Sequence, residues 1–511
     1  MGQRVNTPER VESARATIAE LFRANVEWFL SIDGTDNQAV NHAELEIFSA
    51  HGRLVLTCWT EKGMRTWKIF AWDYSEDKLT FAASRRMGAD RPLIELVPRA
   101  SAKAIALTVK AARQARCEAL AQLICSNQPR AKVERVSLSP GARRGQPGRY
   151  ARILLRLPHE RIAVTGSVAG SRPSNVDSFL AAALLWFKRI SERSRSPYIQ
   201  KLELVVETPL VQPAMQRLAF LRHGLRDAIN LFEVDQHLSE VSPVMVPTRD
   251  EIWRRRLRRF PPAHAAEVSE LASRIRSIAP HAIDIVSARY GETLRYFGLP
   301  FARVRKVMEV EKVWFGLESG KRTLLDENTE RSFQELLLDL QEHRTAAAAD
   351  HHHALYRNAA EAWLESLLRR DITKLDPGLI IAPLHAQFRT SRTGTVSVRP
   401  IDLLALRHDG RLAVIELKVS EDREHVLQGV DYWQRVEAHR RRGHIARAKL
   451  FGDRRIKNEP PLIYLVAPTL RAHPSFNTLA RSIAPDIEIY RFDINEDWRA
   501  GVRTMRRLRV N

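Results

Sequence analysis

The chain has 511 residues, 44% of them hydrophobic, only three cysteines and a formal net charge of +21, which predicts at least two domains and a polyanionic partner, nucleic acid first among them. No apolar run approaches membrane-spanning length, and Cys58, Cys117 and Cys125 form no zinc-type pair, so a membrane protein, a disulfide framework and a structural zinc are all disfavoured. The start leads into a polar amphipathic helix rather than a signal peptide, so a reducing cytoplasm is the expected setting.

In chain order, Thr7-Pro8-Glu9 predicts a helix start, and Val11, Ala14, Ile18, Leu21, Phe22 and Phe29 follow as a core-facing stripe. Residues 43–98 read as a β-meander, rich in β-branched and aromatic residues. Its Trp59, Trp67 and Trp72 are read as half-buried core in preference to a base-stacking platform. Residues 102–125 form a basic, alanine-rich helix, and 139–149 a basic loop. Residues 150–235 read as a second α/β stretch. Its strand–helix order permits a degenerate repeat of the C-terminal core described below, although no Asp…Glu-x-Lys pattern occurs in it.

Residues 251–260 are the densest basic patch with aromatics interleaved. On a helix Arg254, Arg255 and Arg258 share a side and are candidates for phosphate contact, the competing reading being an inter-domain helix paired to Glu267 and Glu270. Residues 288–300 and 312–317 look strand-rich, and 330–343 helical. His351, His352 and His353 do not share a helical face, so they make a poor metal site and read as helix continuation or a linker.

The informative stretch is 399–418, RPIDLLALRHDGRLAVIELK: two short apolar strands around a tight turn, interrupted by Asp402, Glu416 and Lys418. A charge in a buried strand is costly unless it is paired or holds a metal. His408-Asp409-Gly410 suits a three-residue loop with Gly410 in the left-handed position. Arg407 then faces Arg411 and Asp402 faces Glu416, with Cβ atoms about 5 Å apart. Lys418 lies two residues on, on the same face. A two-residue loop would put Asp402 on the opposite face. Two facing carboxylates repel unless a cation sits between them, and all-oxygen ligation suits Mg²⁺ or Mn²⁺. The competing reading is a solvated or salt-bridged hairpin edge.

Asp402 with Glu416-Leu417-Lys418 resembles the signature of the PD-(D/E)xK nuclease superfamily. Residues 426–433, VLQGVDYW, are similar to the Gln-x-x-x-Tyr helix of its RecB-like branch, with Gln428 and Tyr432 one turn apart. Residues 358–368 resemble the family's first core helix, whose glutamate completes the metal site; Glu361 is preferred to Glu365. One residue more than the pattern allows separates Pro400 from Asp402, which removes the proline from the motif but not the aspartate. Beyond the Gln-helix, 462–467 read as a buried strand, 476–483 as a helix, 487–492 as a last strand and 503–509 as a basic tail along a nucleic-acid backbone.

The resemblance covers the last third of the chain. It implies a multidomain α/β protein with a C-terminal restriction-endonuclease-like α-β-β-α-β core on a mixed sheet, preceded by an α+β region. Domains of 1–149, 150–345 and 346–511 are expected. The implied reaction is Mg²⁺-dependent hydrolysis of a phosphodiester bond, in DNA more than RNA. Asp402, Glu416, the Leu417 carbonyl and Glu361 would hold the metal. Lys418 would orient the attacking water, and Gln428 would fix Lys418 or a phosphate. A protein partner or a homodimer is compatible with this reading, and no glycine loop suggests a built-in ATPase. The rival readings are a non-catalytic nucleic-acid-binding protein on the same scaffold and an effector nuclease switched on by a ligand or partner.

Overall fold

A computed structural model of the chain describes residues 3–5, 7–33, 38–60, 63–75, 78–84, 90–141, 147–168, 175–194, 198–235, 237–254, 268–288, 291–308, 310–317, 322–381, 385–388 and 401–511. The chain is a mixed α/β protein of several sheets, divided into two units: Met1–Gln212 with Ala228–Val244, and Pro213–Asp227 with Met245–Asn511.

In the first unit the helix Pro8–Ala24 buries Val11, Ala14, Ile18 and Phe22, the stripe its spacing predicts. Phe29 is not part of it. Asn25 turns the chain extended, and Phe29 lies in the strand Glu27–Ile32. That stripe packs on an eight-stranded sheet. Trp67 and Trp72 are core, 2% and 8% exposed, whereas Trp59 is 53% exposed.

A second sheet in this unit follows helix α1 (Arg99–Asn127). Its strands are β1 (Lys132–Pro140), β2 (Pro147–Arg156), β3 (Arg161–Ser167), β4 (Ile199–Glu207), β5 (Ile229–Val234) and β6 (Val241–Val244), adjacent in that order. Helix α2 (Val176–Arg193) joins β3 to β4 in a parallel crossover. Buried runs in β3 and β4 fit strands flanked on both sides by neighbours. The division expected at residue 149 falls inside β2, whose pairing with β1 and β3 makes 132–244 one sheet. Residues 142–146 of the basic loop lie outside the described residues.

The second unit holds a five-stranded antiparallel sheet from Ile283 to Leu324, covered by the helix Glu330–His343. The linker expected near 345–353 is instead pinned. Arg344, 0% exposed, donates to the carbonyls of Tyr296, Phe297, Leu355, Asn358 and Ala359 at 2.8, 2.7, 2.6, 2.8 and 3.4 Å. The histidine run is structural: His353 caps the helix Ala354–Arg357 through Nδ1, and its ring stacks on His343.

The last sheet follows helix α3 (Ala360–Arg370). Its strands are β7 (His385–Phe388), β8 (Ile401–Leu406), β9 (Leu412–Leu417), β10 (Leu462–Pro468), β11 (Ile489–Ile494) and β12 (Thr504–Arg509), again adjacent in order. Helix α4 (His425–Arg441) joins β9 to β10, and α5 (Phe476–Ser482) joins β10 to β11, both parallel crossovers. The expected basic tail is therefore an edge strand, β12, antiparallel to β11. One face of the sheet packs Leu403, Ala405, Ala413 and Ile415 under Trp363 and Leu364 of α3. The other packs Leu404, Leu406, Leu412 and Val414 under Tyr432 and Val436 of α4.

Candidate active site

The β8–β9 turn decides which side chains meet. Leu406 pairs with Leu412 and Leu403 with Ile415, and the Arg407 N–H donates to the Arg411 carbonyl at 2.9 Å. The loop is thus His408-Asp409-Gly410, with Gly410 at φ +83°. A Cβ on Gly410 would stand 2.8 Å from the Arg455 carbonyl, so both backbone angle and space require glycine there. The paired residues end at Leu403–Ile415; one step further, Asp402 and Glu416 come close enough for the charge of one to act on the other.

Glu416 is 1% and Lys418 8% exposed, and Lys418 Nζ donates to Glu416 Oε1 at 2.9 Å. Asp402 Oδ2 accepts the Leu417 N–H at 2.8 Å. The N–H and C=O of one strand residue point to the same side, so the Leu417 carbonyl also faces the Asp402 edge. Lys418 Nζ lies 3.8 Å from Asp422 and 3.9 Å from Glu361 at the start of α3. One ammonium therefore sits among three carboxylates.

Burial pushes Glu416 well above the ordinary carboxylate range, and the neighbouring charge of Asp402 pushes it further. Burial raises Asp402 as well, against the Leu417 N–H and Lys418. Burial works against the Lys418 ammonium, but Glu416 and Glu361 outweigh it and hold its proton more tightly than an ordinary lysine's. Burial, then the charges of Glu416 and Asp402, raise Tyr432 of α4, which places its phenol within their field.

Glu365 is the second glutamate of α3. Its carboxyl is 5% exposed, 3.9 Å from Arg295, and is pushed up to about 7, chiefly by burial. The folded protein keeps this proton where the unfolded chain has lost it. Stability therefore falls as pH rises from the ordinary glutamate value of about 4.3 to about 7. The expected loss from this group is on the order of 3 kcal/mol, and Glu365→Gln flattens that part of the profile. Unfolding temperature against pH in EDTA checks it; a variant as pH-sensitive as the wild type contradicts it.

Gln428 does not hold Lys418. Its Nε2 donates to Glu424 at 3.1 Å, one turn earlier, and its Oε1 is buried without a hydrogen-bond partner. Arg254 is exposed at the end of the helix Arg249–Arg254, while Arg255 and Arg258 lie outside the described residues. The aromatic of that patch is committed elsewhere, since Trp253 packs against Phe220 and Trp433.

Two site residues carried no sequence signal strong enough to single them out. His425 opens α4 and donates from Nε2 to the Glu416 carbonyl at 3.2 Å; burial, then Lys418, holds its pKa down to about 3, so the ring is neutral. Asp422 joins the ring of carboxylates about Lys418.

Among the described residues no group of three or more His, Cys, Asp and Glu side chains is assembled to hold a metal. Glu361 and Glu365 are not gathered with Asp402 and Glu416 into such a group. The donor set nevertheless fits a hard cation. Glu416 Oε2 is buried and has no hydrogen-bond partner, it faces Asp402, and the Leu417 carbonyl opens to the same edge. Mg²⁺ needs only one or two carboxylates beside its waters. Comparison with known proteins found no matching family, no matching curated protein and no matching solved structure.

Proposed function

We propose that the sheet of α3, β7–β12 and α4 is a restriction-endonuclease-like core that hydrolyses phosphodiester bonds in nucleic acid, DNA more than RNA, with Mg²⁺ or Mn²⁺. The observation that carries this reading is the Asp402–Glu416 pair. Two facing acids on buried strands, one with an orphaned oxygen, beside a buried lysine on the same face, are costly to keep without a cation and a task. The order of elements from α3 to β10 supports it, as does the net charge of +21.

Asp402, Glu416 and the Leu417 carbonyl would hold the metal, with Glu361 or Glu365 of α3 able to complete or adjust the set. When bound, the ion supplies a lowered pKa for water and a counter-charge for the phosphate. The chain's own residues do the rest. Lys418, kept charged by its carboxylate neighbours, directs an N–H at the attacking water or at the oxygens of the crowded phosphate. His425 holds the Glu416 backbone, and so the direction of its side chain. Gln428, whose Oε1 is buried without a hydrogen-bond partner, would be the α4 residue that fixes Lys418 or a phosphate once its amide leaves Glu424. The non-catalytic binding protein and the partner-activated effector nuclease remain the rival outcomes.

The test is incubation of labelled single- and double-stranded DNA with the full chain in Mg²⁺, Mn²⁺ or EDTA, beside Asp402→Ala. Cutting that needs metal and Asp402 is the expected result. Independently of turnover, Mg²⁺ raises the unfolding temperature of the wild type and not of Asp402→Ala, since only a folded site binds it. Absence of both metal effects sinks the proposal.

A further inference from the structure

The five-stranded sheet from Ile283 to Leu324 has two unlike faces. One is apolar: Leu294, Val304 and Val313 pack with Phe333, Leu337 and Leu340 of the helix Glu330–His343. Strand pairing fixes what stands on the other. Thr293 is opposite Arg303, Arg303 opposite Trp314, and Trp314 opposite Leu324, one line across four strands. Directly opposed residues share a face, and so do residues two apart along a strand. Arg305, opposite Lys312, therefore lies on the face of Arg303, and Arg322 on that of Leu324. Arg305 and Lys312 are exposed, while Arg303, Trp314 and Arg322 are half-buried.

The arginines are close enough to act on one another. Burial, then the like charge of Arg305, lowers the pKa of Arg303. Burial, then the charges of Arg303 and Arg305, lowers that of Arg322. The Nε atoms of Arg303 and Arg322 have no hydrogen-bond partner. Among the described residues, Arg303, Arg305, Lys312 and Arg322 have no carboxylate in ion-pair contact, whereas Arg295 on the same face lies 3.9 Å from Glu365.

This face runs up to the helix that borders the candidate site. Asp284 is opposite Arg295, and α3 packs there. The Ser366 hydroxyl of α3 donates to Asp284, and Arg370 of α3 lies 3.3 Å from the same carboxylate. Glu365 of α3 feels the charges of both Arg295 and Asp402. A chain laid across the arginines is thus directed toward α3 and the acids behind it.

We propose that this face, through Arg303, Arg305, Lys312 and Arg322, holds the phosphate backbone of the nucleic acid on which the candidate site acts. This rests on the nuclease reading given above and names the surface that presents its substrate. Like charges gathered without counter-charges repel one another, and a polyanion turns that repulsion into attraction. Contacts of this kind hold and orient a backbone without reading its sequence.

The test is anisotropy of a labelled duplex with the full chain in EDTA across a salt series, for the wild type and for the Arg303→Gln, Arg305→Gln, Arg322→Gln triple variant. The expected result is affinity about tenfold weaker and a log–log salt slope shallower by about 2 to 3. Arg303→Lys, which keeps the charge, keeps most of the slope. Melting without DNA at low salt gives a second readout. Relief of like-charge repulsion leaves the triple variant at or above the wild-type melting temperature, whereas loss of a structural role lowers it. If the triple variant unfolds or melts below the wild type, the exposed pair decides instead: Arg305→Gln with Lys312→Gln is expected to make the slope shallower by about 1 to 2. Wild-type affinity and slope in the folded variant overturn the proposal. If that variant at the same time loses binding to vesicles containing phosphatidylserine, the face belongs to a membrane surface. A wild type that never cuts, with affinity lost in the variant, removes the nuclease reading and leaves this binding face standing. Cutting that needs Asp402, with affinity unmoved in the variant, does the reverse.

Discussion

On the proposed nuclease reading, Lys418→Ala is expected to leave a folded protein that cuts DNA about 10²–10³-fold more slowly. The magnitude follows from where the ammonium sits. It is 8% exposed, 2.9 Å from Glu416, and within 4 Å of Glu361 and Asp422. A charge preorganised in a dry site acts on a developing phosphate charge without reorganising solvent. Its loss is expected to lower kcat more than it raises KM, because the charge it opposes grows in the transition state. Lys418→Arg does not restore the rate, since a planar fork cannot replace a compact ammonium at that spot. The same lysine also neutralises its carboxylate neighbours, so the variant is less stable in EDTA, and Mg²⁺ returns part of that stability. Single-turnover cleavage beside a melting curve separates the two effects. Full activity in Lys418→Ala excludes it from the chemistry and turns the hairpin back into a salt-bridged edge.

The hairpin was legible in the sequence because a turn carries register with it. Asp409-Gly410 constrains the loop, the loop sets which residues face, and alternation does the rest. Helix 330–343 and the stripe of the first helix were legible for the same reason, being local patterns. Three other things were not. The resemblance implied that Gln428 fixes Lys418 or a phosphate, but its amide turns along its own helix to Glu424, which no sequence pattern reveals. His425 and Asp422 became site residues through the path of a loop. The sheet of residues 132–244 was legible only as a strand–helix order that permits a degenerate repeat, because its register, which sets Arg152 opposite Thr165, shows only in the structure. The buried pair of Arg217 and Asp431, 2.5 Å apart, is likewise a contact between distant segments that no local pattern announces.

Arg344→Ala destabilises the second unit by at least about 4 kcal/mol, the largest loss expected of a substitution outside the candidate site. Arg344 has no carboxylate partner among its hydrogen bonds; five carbonyls share its donors. Its guanidinium also lies over the Trp363 ring at 4.8 Å. Burial, then the like charge of Arg499, holds its pKa down to about 9, so desolvation opposes the charge even while the carbonyls use it. Removing the side chain takes its donors from those carbonyls, at about 1–3 kcal/mol for each left unpaired before water enters, the Ala359 carbonyl keeping another donor, the Trp363 N–H. Entering water reduces the sum, which is why the figure is a floor and not five full penalties. The consequence reaches the site through packing. The Phe297 ring stacks on Trp363 at 5.1 Å, and Gly298 lies so close to α3 that a Cβ there would stand 2.0 Å from the Ala362 carbonyl. The turn that Arg344 fastens is thus the seat of α3, and α3 carries Glu361 and Glu365. The expected result is a melting temperature lower by about 8–16 °C, faster proteolysis between residues 345 and 359, and cleavage reduced even at temperatures where the variant is folded. Arg344→Lys recovers less than half, having three donors for five acceptors. A variant that melts with the wild type shows that the five bonds are replaced without cost, and the tie between this arginine and the position of α3 is then broken.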